Sequence, residues 1–531
     1  MRKGRSPHPE GLFLMGVVGF FFTTSMLRLS RPGCQYDELL FGNAALGVVD
    51  PHSFLHRAVA GVPVFLMPYI GALKAYLYYP IFKIFSVNIY SIRVPAILFG
   101  CFILTLTYAY TRRLFGSRAA RMTTLLLALD PTFMFTNRVD WGLSSLAMLL
   151  KSTALFFLVK GIQTSQVRPL VGALFFTTLG IFHRLDFIWF VNATLVSLGI
   201  AFHKEVASWV RMRKRWAAMT ALMLSLGGVY LVYSAIKMSI RYFGENPFDI
   251  VSLNRLRYVT RLLLDTLNGN AFYFDTTHGH LTVPSPQGWV GLGVIATCIL
   301  VGRMQRRRTW NRWVGFFVAL FGVTLLQIYL TRRASGVHHM MMLYPFPHVI
   351  LGYFLTLGWT DLRSGTGGRF LRAVVGSSLA VIVVFNLGVI AQYLAAYRQD
   401  RTSPVWSSDI YTLIDYVKRH KGTTFVSIDW GLHTQLLTFT RGNVPLKEMV
   451  WSFKDLRWDD LQLVRWLIDA FLCQPDYRFL AHSDAASVFP EAKRNFFDLA
   501  ARHGLEVRRV DTVGKRQLYE VYAVRCESPG R

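Results

Sequence analysis

Acid and cysteine are scarce in this chain. Thirty Asp and Glu stand against 58 Lys and Arg in 531 residues, a formal net charge of +28. The five cysteines, at 34, 101, 298, 473 and 526, follow no metal-ligand spacing, which argues against a cysteine-based metal box. Cys101 and Cys298 lie inside apolar runs as small core residues. Cys473 and Cys526 pair if the part that carries them faces an oxidising compartment. Internal repeats and low-complexity tracts are absent. The start, MRKGRSPHPEGLFLMGVVGFFFTTSMLRLS, has the basic end and apolar centre of a secretory signal but no small-x-small cleavage site. It is read as an uncleaved first span with a cytoplasmic N-terminus.

Apolar residues are abundant: 53% of the chain is hydrophobic and 15% aromatic. Runs of about 20 nearly uncharged residues recur, each long enough to cross a hydrocarbon core roughly 30 Å thick. No alternating pattern suggests a barrel, so the spans are helices. The positive charge falls in short clusters between apolar runs: RRLFGSRAAR (112–121), RMRKR (211–215), RMQRRRTWNR (303–312) and DLRSGTGGRFLR (361–372). Such clusters read as cytoplasmic loops. A nucleic-acid reader concentrates its charge on one soluble face, so nucleic acid is not an expected partner.

The expected fold is a polytopic all-α membrane protein with a small C-terminal α/β domain. About eleven spans are expected near 11–27, 92–111, 120–136, 141–159, 169–183, 187–202, 216–236, 288–302, 313–330, 340–359 and 373–392. The apolar run 62–86 is ambiguous. Laid along the outer surface as a juxtamembrane helix, it keeps every dense basic cluster inside. Residues 1–392 then form the membrane domain, with a first outer loop at 28–91 and another at 237–287. Residues 393–531 form the soluble part, where TTFVSID, DYRFLAHS, EVRRVDTV and RQLYEVYAVR read as strands. WSSDIYTLIDYVKRH, 456–470 and PEAKRNFFDLAARHG read as helices. That part shows no glycine-rich phosphate loop, metal box or nucleophile elbow.

This topology gathers polar groups on the outer side: Asp37 and Glu38 in GCQYDELLFGNAAL, Lys74, Asp140 in NRVD, Arg184 and Asp186 in HRLD, and TRRASGVHH (331–339). Ionisable groups at membrane depth are costly and are functional hypotheses by default. A carboxylate in a partly desolvated cavity acts as a general base, and nearby cations neutralise a phosphate. Sugar transfer from a polyprenyl-phosphate donor needs both. Plainer readings exist for each residue. Asp37 and Glu38 suit the first turn of a helix, Asp140 suits an N-cap, and Lys74 suits snorkelling to headgroups. Arg184 and Asp186 suit a pair closing a tight turn. A transporter or lipid flippase is the other function class, though its charges usually sit at the bilayer midplane. A catalytically silent envelope scaffold is a third.

The ordered motifs resemble the GT-C membrane glycosyltransferases, in the branch of protein O-mannosyltransferases and bacterial lipid A aminoarabinose transferases. The family's acidic motif in the first outer loop is matched by YDELLFGNAAL. Its K-P-P-L-Y-Y segment is matched by KAYLYYPIFKIF (74–85) without either proline, and its arginine-led small-residue segment by SIRVPAILFG with Arg93. NRVDWGLSSLAML supplies the later aspartate, HRLDFIW has Arg184 in place of lysine, and HHMMMLYPFP (338–347) stands for the late R-Y-x-x-P-x-Y-P segment. The resemblance covers roughly residues 10–190 and 331–360. It implies Asp37 as base with Glu38 beside it, and Asp140 to position a sugar or hold a divalent cation. It implies Lys74 and Arg184 on the lipid phosphate, with Arg332, Arg333, His338 and His339. The implied partners are a polyprenyl-phosphate sugar, a glycan, lipid or protein acceptor, and membrane lipids. The implied reaction is inverting transfer at the extracytoplasmic face of a bacterial inner membrane, with no certain cofactor.

Overall fold

The structure, a computed structural model, describes residues 9–47, 57–67, 69–212, 252–305, 309–331, 334, 336–360 and 366–526. Seven helices among them are long and apolar enough to cross a membrane: Pro9–Met26, Ile89–Leu129, Trp141–Thr164, Leu185–Glu205, Gln287–Met304, Arg312–Leu330 and Gly368–Arg398. An eighth arises if Val337–Leu343 and Phe346–Thr360, bent by 44°, count as one. The 41-residue helix Ile89–Leu129 breaks at Gly116, whose φ of 85° lies in the left-handed region. The expected spans 92–111 and 120–136 fall on either side of that break. Val167–His183 is shorter, and the expected span 216–236 lies outside the described residues.

The bend before Phe346 leaves helix carbonyls without partners, which lipid cannot supply. Lys151, fully buried on a neighbouring helix, donates its Nζ to the carbonyls of Met341 (3.2 Å) and Met342 (2.6 Å) and lies 5.0 Å from the Phe346 ring centroid. A cation inside the bundle is thereby used as a helix cap.

Among its described residues the run 62–86 holds no helix long enough to cross, and it is not one helix. Arg57–Val59, Val62–Met67 and Ile70–Gly71 form a three-stranded antiparallel sheet, and only Leu73–Phe85 is helical. At 13 residues that helix spans about 20 Å, short of the bilayer core. The expectation of a surface helix over 62–71 failed because VPVFLM, a short apolar run, carries no periodicity that separates strand from helix. Gly61 and Pro68, on either side of VPVFLM, were the strand-bounding signal.

The C-terminal sheet has five strands in the order Leu446–Glu448, Thr424–Ser427, Tyr477–His482, Tyr519–Arg525, Glu506–Val513. Its first three strands pair in parallel and the rest antiparallel. Four of these strands are those expected; the edge strand Leu446–Glu448 and the helix His433–Thr440 were not anticipated. The expected helix 456–470 is shorter, Leu461–Leu467, and runs into a π-helical turn, Ile468–Leu472. Cys473 and Cys526 are disulfide-bonded across a separation of 53 residues, tying that turn to the end of strand Tyr519–Arg525.

Candidate active site

The acid loop is built by local rules. After Gly33, the Gln35 side chain accepts the Asp37 amide at 2.6 Å and caps a 3-10 turn, Tyr36–Leu39. Glu38 turns inward, where both of its oxygens meet Arg93: Nε to Oε1 at 2.7 Å and Nη2 to Oε2 at 2.8 Å. Arg93 also donates to the carbonyls of Leu29 (2.7 Å), Pro32 (2.8 Å) and Gly33 (3.1 Å). Both side chains are buried. This planar two-bond pairing suits a guanidinium and a carboxylate, and it commits Glu38 to holding the loop.

Lys74 and Asp140 find each other too. Their Nζ and Oδ2 lie 2.7 Å apart, both buried, with the ammonium 4.0 Å from the Phe41 ring centroid. Asp140 closes helix Pro131–Val139 in the left-handed conformation, φ 49°. Its Oδ1 accepts the Ser145 amide at 2.7 Å, starting the next helix. Gly142 follows with φ 61°, and a Cβ there would lie 3.0 Å from the His338 ring.

Arg184 is the third cation. Its Nε and Nη2 donate to Asp186 at 3.1 and 2.5 Å, and its Nη1 donates to the Gly142 carbonyl. The small sheet reaches the same place, since the Leu185 amide donates to the Tyr69 carbonyl at 3.0 Å. His339 Nδ1 lies 3.3 Å from Asp186 Oδ2, and His338 packs between His339 (4.1 Å) and Trp141 (5.0 Å). Arg332 and Arg333 lie outside the described residues.

Each of these three cations therefore has its own carboxylate. Asp37 does not. Among the described residues no cation comes within salt-bridge distance of it, and its side-chain partner is the Trp141 indole, whose Nε1 donates to Oδ2 at 3.4 Å. Asp37 and Trp141 are both half-buried. Burial pushes the Asp37 carboxyl up to about 6, against the pull of the Trp141 N–H and the more distant Arg184. An unpaired carboxylate titrating near neutrality is what a general base requires. Aromatic rings wall the site: Trp141 lies 6.0 Å from both Phe272 and Trp406. Phe272 belongs to the expected outer loop 237–287, of which residues 237–251 fall outside the described residues.

Asp140 already serves Lys74 and the Ser145 amide, and among the described residues no three of His, Cys, Asp and Glu converge.

Comparison with known proteins follows this geometry. The family described as dolichyl-phosphate-mannose-protein mannosyltransferase matches residues 72–233. No curated protein matches by sequence. The structure of ArnT from Cupriavidus metallidurans in the apo state is similar over 96% of this chain and 97% of that one, with a TM-score of 0.60 at 12% identity. ArnT of the same organism bound to undecaprenyl phosphate covers 97% and 98%, with a TM-score of 0.52 at 15% identity. The Archaeoglobus fulgidus oligosaccharyltransferase, in complex with Zn and sulfate, covers 88% and 68%, with a TM-score of 0.50 at 10% identity.

This chain has an ArnT-like fold. On it, the structure brings Asp37, Glu38, Lys74, Asp140, Arg184, His338 and His339 to one end of the bundle. Sequence reasoning missed Trp141 and Trp406 as contributors to this site. The first has a signal in hindsight, since it directly follows Asp140.

Proposed function

We propose that the chain is an inverting glycosyltransferase that moves a sugar from a polyprenyl-phosphate donor to an acceptor hydroxyl on a glycan, lipid or protein. The observation that carries this reading is the Asp37 carboxylate, held beside Trp141 with no cation among the described residues within salt-bridge distance. The likeness to ArnT, solved with undecaprenyl phosphate, supports the donor class. Asp37 takes the proton of the acceptor hydroxyl as its oxygen bonds to the anomeric carbon. The bond from that carbon to the phosphate oxygen breaks, and the electron pair leaves with the polyprenyl phosphate. Attack opposite the leaving group inverts the anomeric centre through an oxocarbenium-like transition state. The leaving phosphate is already ionised, so it needs positive charge and no acid. Arg184 and Lys74, each already paired with a carboxylate, offer N–H donors to it beside His338 and His339, and the net positive charge is assigned to Arg332 and Arg333.

In this reading residues 1–392 form the catalytic membrane part and residues 393–531 the extracytoplasmic part of a bacterial inner-membrane protein. The Cys473–Cys526 bond supports that side, because disulfides persist in oxidising compartments. The test uses purified protein, lipid-linked sugars extracted from cell membranes, and envelope acceptor, with released polyprenyl phosphate measured by mass spectrometry. Asp37→Asn is expected to slow release by about 10²–10⁴-fold while undecaprenyl phosphate binding stays close to wild type. Undiminished release by the variant refutes Asp37 as base. Lipid flipping by the wild type without sugar transfer would favour a flippase.

A further inference from the structure

Asp37 is the only residue of its turn whose two neighbours are held by opposite halves of the chain. On one side Glu38 is locked to Arg93, at the start of a membrane helix. On the other, Tyr36 is buried against the C-terminal sheet. Its hydroxyl donates to Glu448 Oε1 at 2.8 Å, and its ring lies 4.8 Å from that of Trp430. Glu448 ends the edge strand Leu446–Glu448, so an edge of the sheet is turned toward the acid loop.

Further contacts close the same seam. The Gly33 amide donates to the Trp406 carbonyl at 2.7 Å, and Trp406 also packs on Trp141. The Gln435 amide reaches the Cys34 carbonyl at 3.5 Å, and Tyr411 lies against the Cys34 thiol. The approach is too close for side chains. A Cβ on Gly33 would sit 2.0 Å from the Ser407 carbonyl oxygen, and one on Gly42 2.1 Å from Thr438 Oγ1. At Gly33 backbone meets backbone, and at Gly42 backbone meets the Thr438 side chain, because glycine is present on the loop side.

From this seam we infer that the C-terminal part is a structural component of the active site, with Glu448 as a positioning residue that sets the place of Asp37 through Tyr36. The inference rests on Asp37 being the base. A base must lie within hydrogen-bond reach of the hydroxyl it deprotonates, and a shift of about 1 Å lowers a rate by as much as 100-fold. The turn Tyr36–Leu39 is four residues long. Release of its first residue therefore moves the second directly, while the Glu38–Arg93 lock keeps the third in place. Trp141, which shares a wall with Trp406, would lose its contact with Asp37 in the same movement.

The experiment measures release of polyprenyl phosphate from the lipid-linked sugar extract by full-length Glu448→Ala, Glu448→Gln, Tyr36→Phe and the double variant Tyr36→Phe/Glu448→Ala. Glu448→Ala and Tyr36→Phe both break the Tyr36–Glu448 hydrogen bond, and Tyr36→Phe also removes the hydroxyl's bond with Thr434. Each is expected to lower kcat by about 10- to 100-fold with KM for the lipid extract unchanged. The double variant should be no slower than Tyr36→Phe alone. Glutamine retains an acceptor oxygen, so Glu448→Gln is expected to recover most of the rate. Wild-type kcat in either single variant, losses that multiply in the double, or a rise in KM alone overturns the inference while leaving Asp37→Asn inactive. If Asp37→Asn turns over normally, the reading of Asp37 as base has failed instead.

Discussion

Removing Arg93 separates the acid that a cation holds, Glu38, from the acid proposed as base, Asp37. The guanidinium has five N–H donors, and all five are matched: two by Glu38 and three by the carbonyls of Leu29, Pro32 and Gly33. Arg93→Met would leave Glu38 as an unpaired charge, 1% exposed, with no route to water. Breaking a buried pair this way costs about 3–5 kcal/mol, and each orphaned carbonyl adds about 1 kcal/mol or more. Arg93→Lys repairs little, because three donors on one point cannot reach five acceptors. Glu38→Gln leaves the cation buried and costs a similar amount. Arg93→Met/Glu38→Leu removes both charges and is expected to be less destabilised than the sum of the two single changes. The assay is thermal unfolding in detergent at one scan rate, because unfolding of such a chain is expected to be irreversible. The single variants should melt several degrees below wild type, and the double should recover part of the loss. A single Arg93→Met variant melting with the wild type, or a double variant showing the full sum, refutes the clamp.

The carboxyl of Asp37, raised to about 6 by burial, must be ionised to accept a proton. On a plot of kcat/KM against pH the rate should therefore be flat above about 7 and fall tenfold per unit below about 6. Trp141→Phe removes the N–H that favours the carboxylate, so the falling limb should move to higher pH; a limb that stays put refutes that contact. Lys151→Met leaves the Met342 carbonyl without its lysine partner at the helix bend, while the Met341 carbonyl keeps the Tyr344 amide. An orphaned carbonyl costs about 1–3 kcal/mol, which should appear as a lower melting temperature, and unchanged melting excludes the cap. The disulfide spans 53 residues, so chain-entropy reasoning gives it about 4 kcal/mol. Cys473→Ser is expected to raise proteolysis between Cys473 and Cys526 without moving the pH profile.

The membrane helices were legible because an apolar stretch that spans lipid has one regular way to satisfy its backbone, and length alone announces it. Four of the five C-terminal strands were legible from their β-branched and aromatic content. Leu446–Glu448 was not, since three residues carry no pattern. The run 62–71 was misread for a related reason: apolar content without a period does not choose between helix and strand. In the site, Asp37 stood out by its place after the first span. The reading of Glu38 as its catalytic neighbour could not anticipate Arg93, which lies 55 residues away in sequence.

Composition and apolar spacing alone determined that this is a chain of membrane helices ending in a sheet, with its charged motifs held between spans. The three-dimensional fold decided which charges cancel. Lys74 meets Asp140, Arg93 meets Glu38 and Arg184 meets Asp186, while Asp37 meets an indole. Pairing depends on distances between side chains of different elements, and a buried charge without a partner is costly enough that packing settles each match. The same packing laid Glu448 against Tyr36 across 412 residues, a contact that no local pattern encodes.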